Sequence, residues 1–259
     1  MYGPRLLVVA HGSRDPRHAA TVHALVRLVR SLRPGLPVET GFLDFNAPSV
    51  PQVLERIAAE DPGAEVVALP LLLTRAFHAK SDLPAVLAEA SAALPGLRIR
   101  QAGVLGPSPL LTAAVGRRLY EAGAGRTPAA RRSTGLVLAS AGSTDPEAIA
   151  AIAAMARELR RTGWCSVRPA FASASLPRTE DAVRLLRADG CARVAVAPYV
   201  IAPGRLPDRI AEGARDADVL AEVLGPCPEL AELIVHRYEQ AVRPAEAAPA
   251  AFGRLGVTA

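Results

Sequence analysis

Aromatic residues are scarce: five Phe, four Tyr and one Trp make up 4% of the 259 residues, which argues against a nucleic-acid platform of stacked rings. Long hydrophobic runs are lacking too. The run at 66–73 has eight residues and carries Pro70 inside it, and no run approaches the length of a membrane span. Charge is sparse at 21%, and the 30 basic against 25 acidic residues include no basic run of five or more. Neither a nucleic-acid nor a membrane partner is expected, and the net charge of +5 suits an anionic small molecule.

Cysteine is limited to Cys165, Cys191 and Cys227, spaced 26 and 36 residues apart, without the CxxC spacing of zinc or iron–sulfur sites. No leader-like stretch combines basic, apolar and cleavage regions, so the cytoplasm is the expected compartment. Nucleotide loops are missing as well, since neither GxGxxG nor GxxxxGK[ST] follows any apolar run. Ser13 has no GxSxG elbow around it. The HGS triplet at His11 follows Ala10 and not the arginine of a histidine phosphatase.

Half of the chain is apolar, so it folds, as one large α/β domain or as two of about 125 residues. Short Val/Leu-rich runs near 5–10, 37–44, 65–72 and 98–105 alternate with longer helical stretches, the pattern of a parallel sheet with crossover helices. Between the first two runs, Val22, Leu25, Val26, Val29 and Leu32 share one helical face, with Asp15 as N-cap and Pro16 at the first helical position.

The plan occurs twice. LLVVAHGSRDP at 6–16 returns as LVLASAGSTDP at 136–146, with five identities in eleven positions. In the same order Phe42 and Pro48 answer to Phe171 and Pro177, and 66–73 answers to 194–201. Leu83-Pro84 then answers to Leu206-Pro207, and VLGPSPLL at 104–111 to VLGPCPEL at 223–230. The halves are read as 1–122 and 135–242, with 123–134 as a linker lacking apolar periodicity and 243–259 as a flexible tail.

In an open parallel sheet ligands bind beyond the carboxyl ends of the strands, at the switch point. For a flavodoxin-like order 2-1-3-4 this places His11, after strand one, and His78, in the loop after strand three, over the same crevice. The second half has Ala141 in place of His11. Its loop is shorter by five, 8 positions from Pro198 to Leu206 against 13 from Pro70 to Leu83, and holds no histidine. Loss of both imidazoles together, with Gly-Ser and Asp-Pro kept, predicts one active and one structural half.

Neutral imidazole suits borderline divalent metals and accepts protons near physiological pH. Asp44, at the end of strand two, either completes a metal site, orients a histidine or serves as a turn residue before the next helix. Ser13, Arg14, Arg75 and Lys80 flank the histidines as candidate substrate-binding residues, the cations for carboxylates, with solvated charge as the alternative. His18 and His23, five apart, have neither chelating spacing and are expected on the surface, as is His236; Trp164 is expected to pack.

The segments LLVVAHGSRDP, GFLDFNAPSV and LPLLLTRAFHAKSDLP together resemble the sirohydrochlorin chelatase family, the class II tetrapyrrole chelatases of siroheme and cobalamin synthesis. The first half resembles it closely and the second as a degenerate copy, as in the long form with two fused halves. The resemblance implies an α/β chelatase fold: two flavodoxin-like subdomains, each with a four-stranded, mostly parallel sheet flanked by helices, facing each other across a cleft. It implies ATP-independent insertion of Fe²⁺ or Co²⁺ into a polycarboxylated tetrapyrrole, with His11 and His78 as the functional histidines. No cofactor beyond the substrate metal is implied. The family's acidic position falls on the shorter Asp44. A monomer is expected, because fused halves supply the cleft within one chain. The rival reading is a non-enzymatic carrier of metal or tetrapyrrole using the same cleft, which would bind stoichiometrically without accelerating insertion; a degenerate scaffold is disfavoured by the retained histidines.

Overall fold

The computed structural model describes residues 3–75 and 81–243. In the first half, strands β1 (Arg5–Ala10), β2 (Val38–Phe42), β3 (Glu65–Pro70) and β4 (Arg98–Gln101) are joined by helices α1 (Pro16–Leu32), α2 (Val50–Glu60) and α3 (Leu83–Ala93), and α4 (Pro109–Glu121) follows. After α5 (Pro128–Ser133), the second half repeats the plan with β5 (Thr134–Ser140), α6 (Pro146–Arg161), β6 (Ser166–Phe171), α7 (Thr179–Ala188), β7 (Arg193–Tyr199), α8 (Arg205–Gly213), β8 (Val219–Leu220) and α9 (Pro228–Val242).

The strands form two four-stranded parallel sheets, ordered β2-β1-β3-β4 and β6-β5-β7-β8. The repeat extends to register: Val9 lies opposite Gly41 and Pro70, as Ala139 lies opposite Ala170 and Pro198. β1 and β5, flanked by strands on both sides and covered on both faces, are continuous apolar runs for that reason. β4 and β8 stay short because they are edges with partly exposed residues.

Helix α1 starts as its sequence predicts, with the Asp15 carboxylate accepting the Arg17 N–H at 2.9 Å and Pro16 next. Asp145 repeats this on the Glu147 N–H at 2.9 Å. Val22, Leu25, Val26 and Val29 are buried, each fully covered side chain contributing about 1.5–3 kcal/mol, whereas Leu32, the last residue of the helix, is 50% exposed and leaves the predicted face.

The expected linker is not without structure. Pro128–Ser133 is helical because the Thr127 hydroxyl accepts the Ala130 N–H at 3.1 Å and Pro128 occupies the first position. Arg131 anchors this turn without any apolar stripe, donating to the Gly125 carbonyl at 2.9 Å and lying 6.0 Å from the ring of buried Trp164. Strand ends also fall inside the predicted limits, β4 reaching only Gln101. The segment expected to be a tail lies outside the described residues from position 244 onward.

Each half hands its last helix to the other. α4 packs on β7 and α6 of the second sheet, and α9 packs on α1 and β3 of the first. Arg118 of α4 donates to the Leu224 carbonyl at 2.9 and 2.7 Å, and Arg237 of α9 donates to the Leu105 carbonyl at 2.8 Å. Leu105 and Leu224 are repeat counterparts, so the duplicated VLGPxP segment is the socket of this exchange. One continuous core therefore joins α1, α4, α6 and α9 between the sheets. Separate clusters under α2 and α3, and under α7 and α8, seal the outer faces.

Candidate functional site

Because the inner faces are held together by exchanged helices, the carboxyl ends of β1 and β3 open onto the same cleft as those of β5 and β7. This cleft has a volume of about 440 Å³. Its walls are mostly aliphatic, with Val22, Leu71 and Leu73 from the first half and Ile149, Ile152 and Ile201 from the second.

His11 stands on the floor of the cleft, half-buried and immediately after β1. Its main chain is clamped, the carbonyl accepting the Asp44 N–H at 2.8 Å. Its Nδ1 lies 3.3 Å from the Gly12 carbonyl oxygen; in the tautomer that donates there, the lone pair resides on Nε2. Gly12 has φ +98°, and a Cβ on it would lie 1.8 Å from the Asp44 carbonyl oxygen. Gly142 repeats both features, with φ +97° and 1.9 Å to the Ser173 carbonyl. The retained glycine is thus a requirement of the turn and not of the histidine.

Ser13 lines the cleft, but its hydroxyl accepts the Asp15 N–H at 3.1 Å and its own N–H donates to Asn46 Oδ1 at 2.8 Å. Ser143 does the same for Asp145 at 3.0 Å in the half that lacks the histidines. The Asp44 carboxylate is exposed, accepts the Phe45 N–H at 2.7 Å and does not line the cleft. Arg14 is exposed, with its guanidinium 5.3 Å from the Phe45 ring centroid, and that ring lies 6.3 Å from His11. Arg75 is exposed and outside the cleft lining. His78 and Lys80 lie outside the described residues.

His18 contradicts the surface expectation. It lines the cleft, its Nδ1 is buried with no hydrogen-bond partner among the described residues, and burial first, then the neighbouring His11 charge, push its pKa below the usual histidine value while Asp15 pulls the other way. The signal was available: His18 precedes Val22, Leu25 and Val29 by four, seven and eleven residues, on the same buried stripe. His23 is exposed with its ring centroid 5.7 Å from that of Phe42 in an edge-on arrangement, and His236 is exposed beside Glu232, both as expected.

Two further residues escaped the sequence reading. Tyr199, at the end of β7, is buried against the cleft, and burial pushes its phenol pKa up. Arg205, the first residue of α8, lines the cleft from the second half. Near the same helix start, Arg17 ties the halves together, its Nη2 lying 2.6 Å from Asp15 and 2.9 Å from Asp208. A second cavity of about 790 Å³ between α4 and α6 shares Leu73, Thr74 and Tyr199 with the cleft.

The sirohydrochlorin cobaltochelatase of Priestia megaterium is 26% identical over 92% of this chain and 80% of its own length. The sirohydrochlorin ferrochelatase of the same organism is 26% identical over 91% of this chain and 90% of its own length. Among solved structures, SirB from Bacillus subtilis with Fe³⁺ superimposes with a TM-score of 0.79 at 21% identity, covering 93% of this chain and 96% of SirB, so the two share their fold. The CbiX family matches residues 5–122 and again residues 135–241, and with both halves accounted for, the chain belongs to the CbiX family.

Proposed function

We propose that this protein inserts a divalent metal, Fe²⁺ or Co²⁺, into sirohydrochlorin. The observation that carries the reading is His11, held at the floor of an aliphatic cleft walled by both halves of one chain. The relatives that align over most of their length are named as sirohydrochlorin chelatases of cobalt and of iron, which supports this substrate pair.

The chemistry is an exchange: one M²⁺ enters the macrocycle and two pyrrole N–H protons leave. Charge balances, no electron moves, and neither nucleotide nor resident cofactor is called for. The task for side chains is to strip water from the metal, hold it loosely and take up protons. We assign both tasks to His11 together with His78, eight residues beyond the end of β3. The aliphatic walls offer a dry surface to a flat macrocycle. The Asp44 carboxylate, committed to the Phe45 N–H, is assigned to shaping the turn beside His11. Ser13 caps the approach to α1, Arg14 and Arg75 stand outside the cleft lining, and these two cations together with Lys80 are assigned to the peripheral carboxylates. A single chain supplies both walls, which fits a monomer.

The test follows the absorbance of sirohydrochlorin with Co²⁺. Wild type accelerates insertion over the spontaneous rate, and His11→Ala and His78→Ala each slow it about 100-fold or more. Full rate in either variant overturns that residue's assignment. Stoichiometric binding without turnover by wild type would replace the enzyme by a carrier.

A further inference from the structure

The second half has lost both histidines, and the structure points to what it contributes instead. Among the described residues that line the cleft, Arg205 alone carries a permanent charge. Other arginines that tie elements together are committed: Arg17 to Asp15 and Asp208, Arg117 to Glu229, Arg118 and Arg237 to carbonyls of the opposite half. Arg205 has no hydrogen bond or ion pair among the described residues, and it is exposed to the cleft. Its repeat counterpart, the residue before Leu83-Pro84, is Asp82, so the sign of charge is reversed between the halves.

Position completes the picture. Arg205 follows Gly204, where a Cβ would lie 3.9 Å from Ser13 Oγ, so α8 begins opposite the turn that carries His11. Apart from the imidazoles of His11 and His18, the rest of the described lining is aliphatic or neutral polar, so an anion entering it meets one permanent cation among the described residues.

We propose that Arg205 binds a carboxylate of the tetrapyrrole and sets the macrocycle's orientation over His11, as the second half's contribution to substrate selection. This rests on the tetrapyrrole reading given above. Guanidinium pairs with carboxylate through two parallel hydrogen bonds, which fixes direction as well as affinity.

The experiment separates the two claims by measuring binding apart from insertion. Fluorescence titration with metal-free uroporphyrin, which bears a carboxylate on every side chain, is compared with mesoporphyrin, which bears only a pair. Arg205→Ala is expected to weaken uroporphyrin binding about tenfold, with a smaller effect on mesoporphyrin. In the Co²⁺ assay, KM for sirohydrochlorin rises by a similar factor with kcat within about twofold. Arg205→Lys restores part of the affinity, and Arg205→Glu lowers it further. Unchanged uroporphyrin affinity in Arg205→Ala, or an equal loss for both porphyrins, overturns the proposal. Failure of wild type to insert metal overturns the chelatase reading alone, since the binding comparison still stands.

Discussion

Gly12 shows how much of the active half is set by one missing Cβ. Its φ of +98° and the 1.8 Å approach to the Asp44 carbonyl would force Gly12→Ala to move the β1 and β2 loops apart. The expected cost is about 1–3 kcal/mol of stability, seen as a lower unfolding midpoint, together with loss of insertion activity as His11 shifts. Gly142→Ala meets the same obstruction and should destabilise similarly while leaving more activity, because no histidine adjoins it. Equal activity losses in the two variants would show that the turn serves catalysis in both halves. His18 carries a different consequence. Its pKa is lowered in the folded state, so the unfolded chain takes up the proton first. Stability is full above the usual value of 6.5 and falls as the pH drops below it toward the lowered native value. Urea midpoints measured between about pH 7 and pH 5 should slope downward in wild type and less so in His18→Leu. An unchanged slope would show that His18 is protonated without penalty.

Among the elements, the ends of helices were the most legible. Asp15-Pro16 and Asp145-Pro146 announce α1 and α6 by short-range chemistry that the fold merely keeps. The exchange of α4 and α9 was not legible, because an amphipathic face states that it will be buried and not against which sheet. Only in retrospect does the VLGPxP repeat reveal its purpose: Leu105 and Leu224 each present a carbonyl to an arginine of the other half's helix. It follows that α9 stabilises the first half. A chain ending at residue 227 lacks Leu230, Leu233 and Ile234, buried in the core shared with β1. Hydrogen exchange should then speed up first in β1 and β3, ahead of β5 and β7, as measured by mass spectrometry. Loss of protection confined to the second sheet would contradict the exchange.

At the scale of the whole molecule, duplication, parallel sheets and strand order were written in the chain, since period, length and repeat spacing are local quantities that the backbone obeys. His11 was legible because a strand end in a parallel sheet is a known place. Arg205 and Tyr199 were not, because each acquires its meaning from an opposing wall that lies more than a hundred residues away in sequence. The charge of +5 likewise pointed to an anionic ligand without saying where, as many arginines are consumed in ion pairs and carbonyl contacts between elements. The sequence by itself determined two copies of a βαβ plan, their turns and caps, and a single half with a histidine directly after its first strand, all by short-range sterics and periodicity. Only the tertiary structure decided which helix covers which sheet and which charge is left unpaired in the cleft, because pairing and burial are settled by the groups that long-range packing brings alongside.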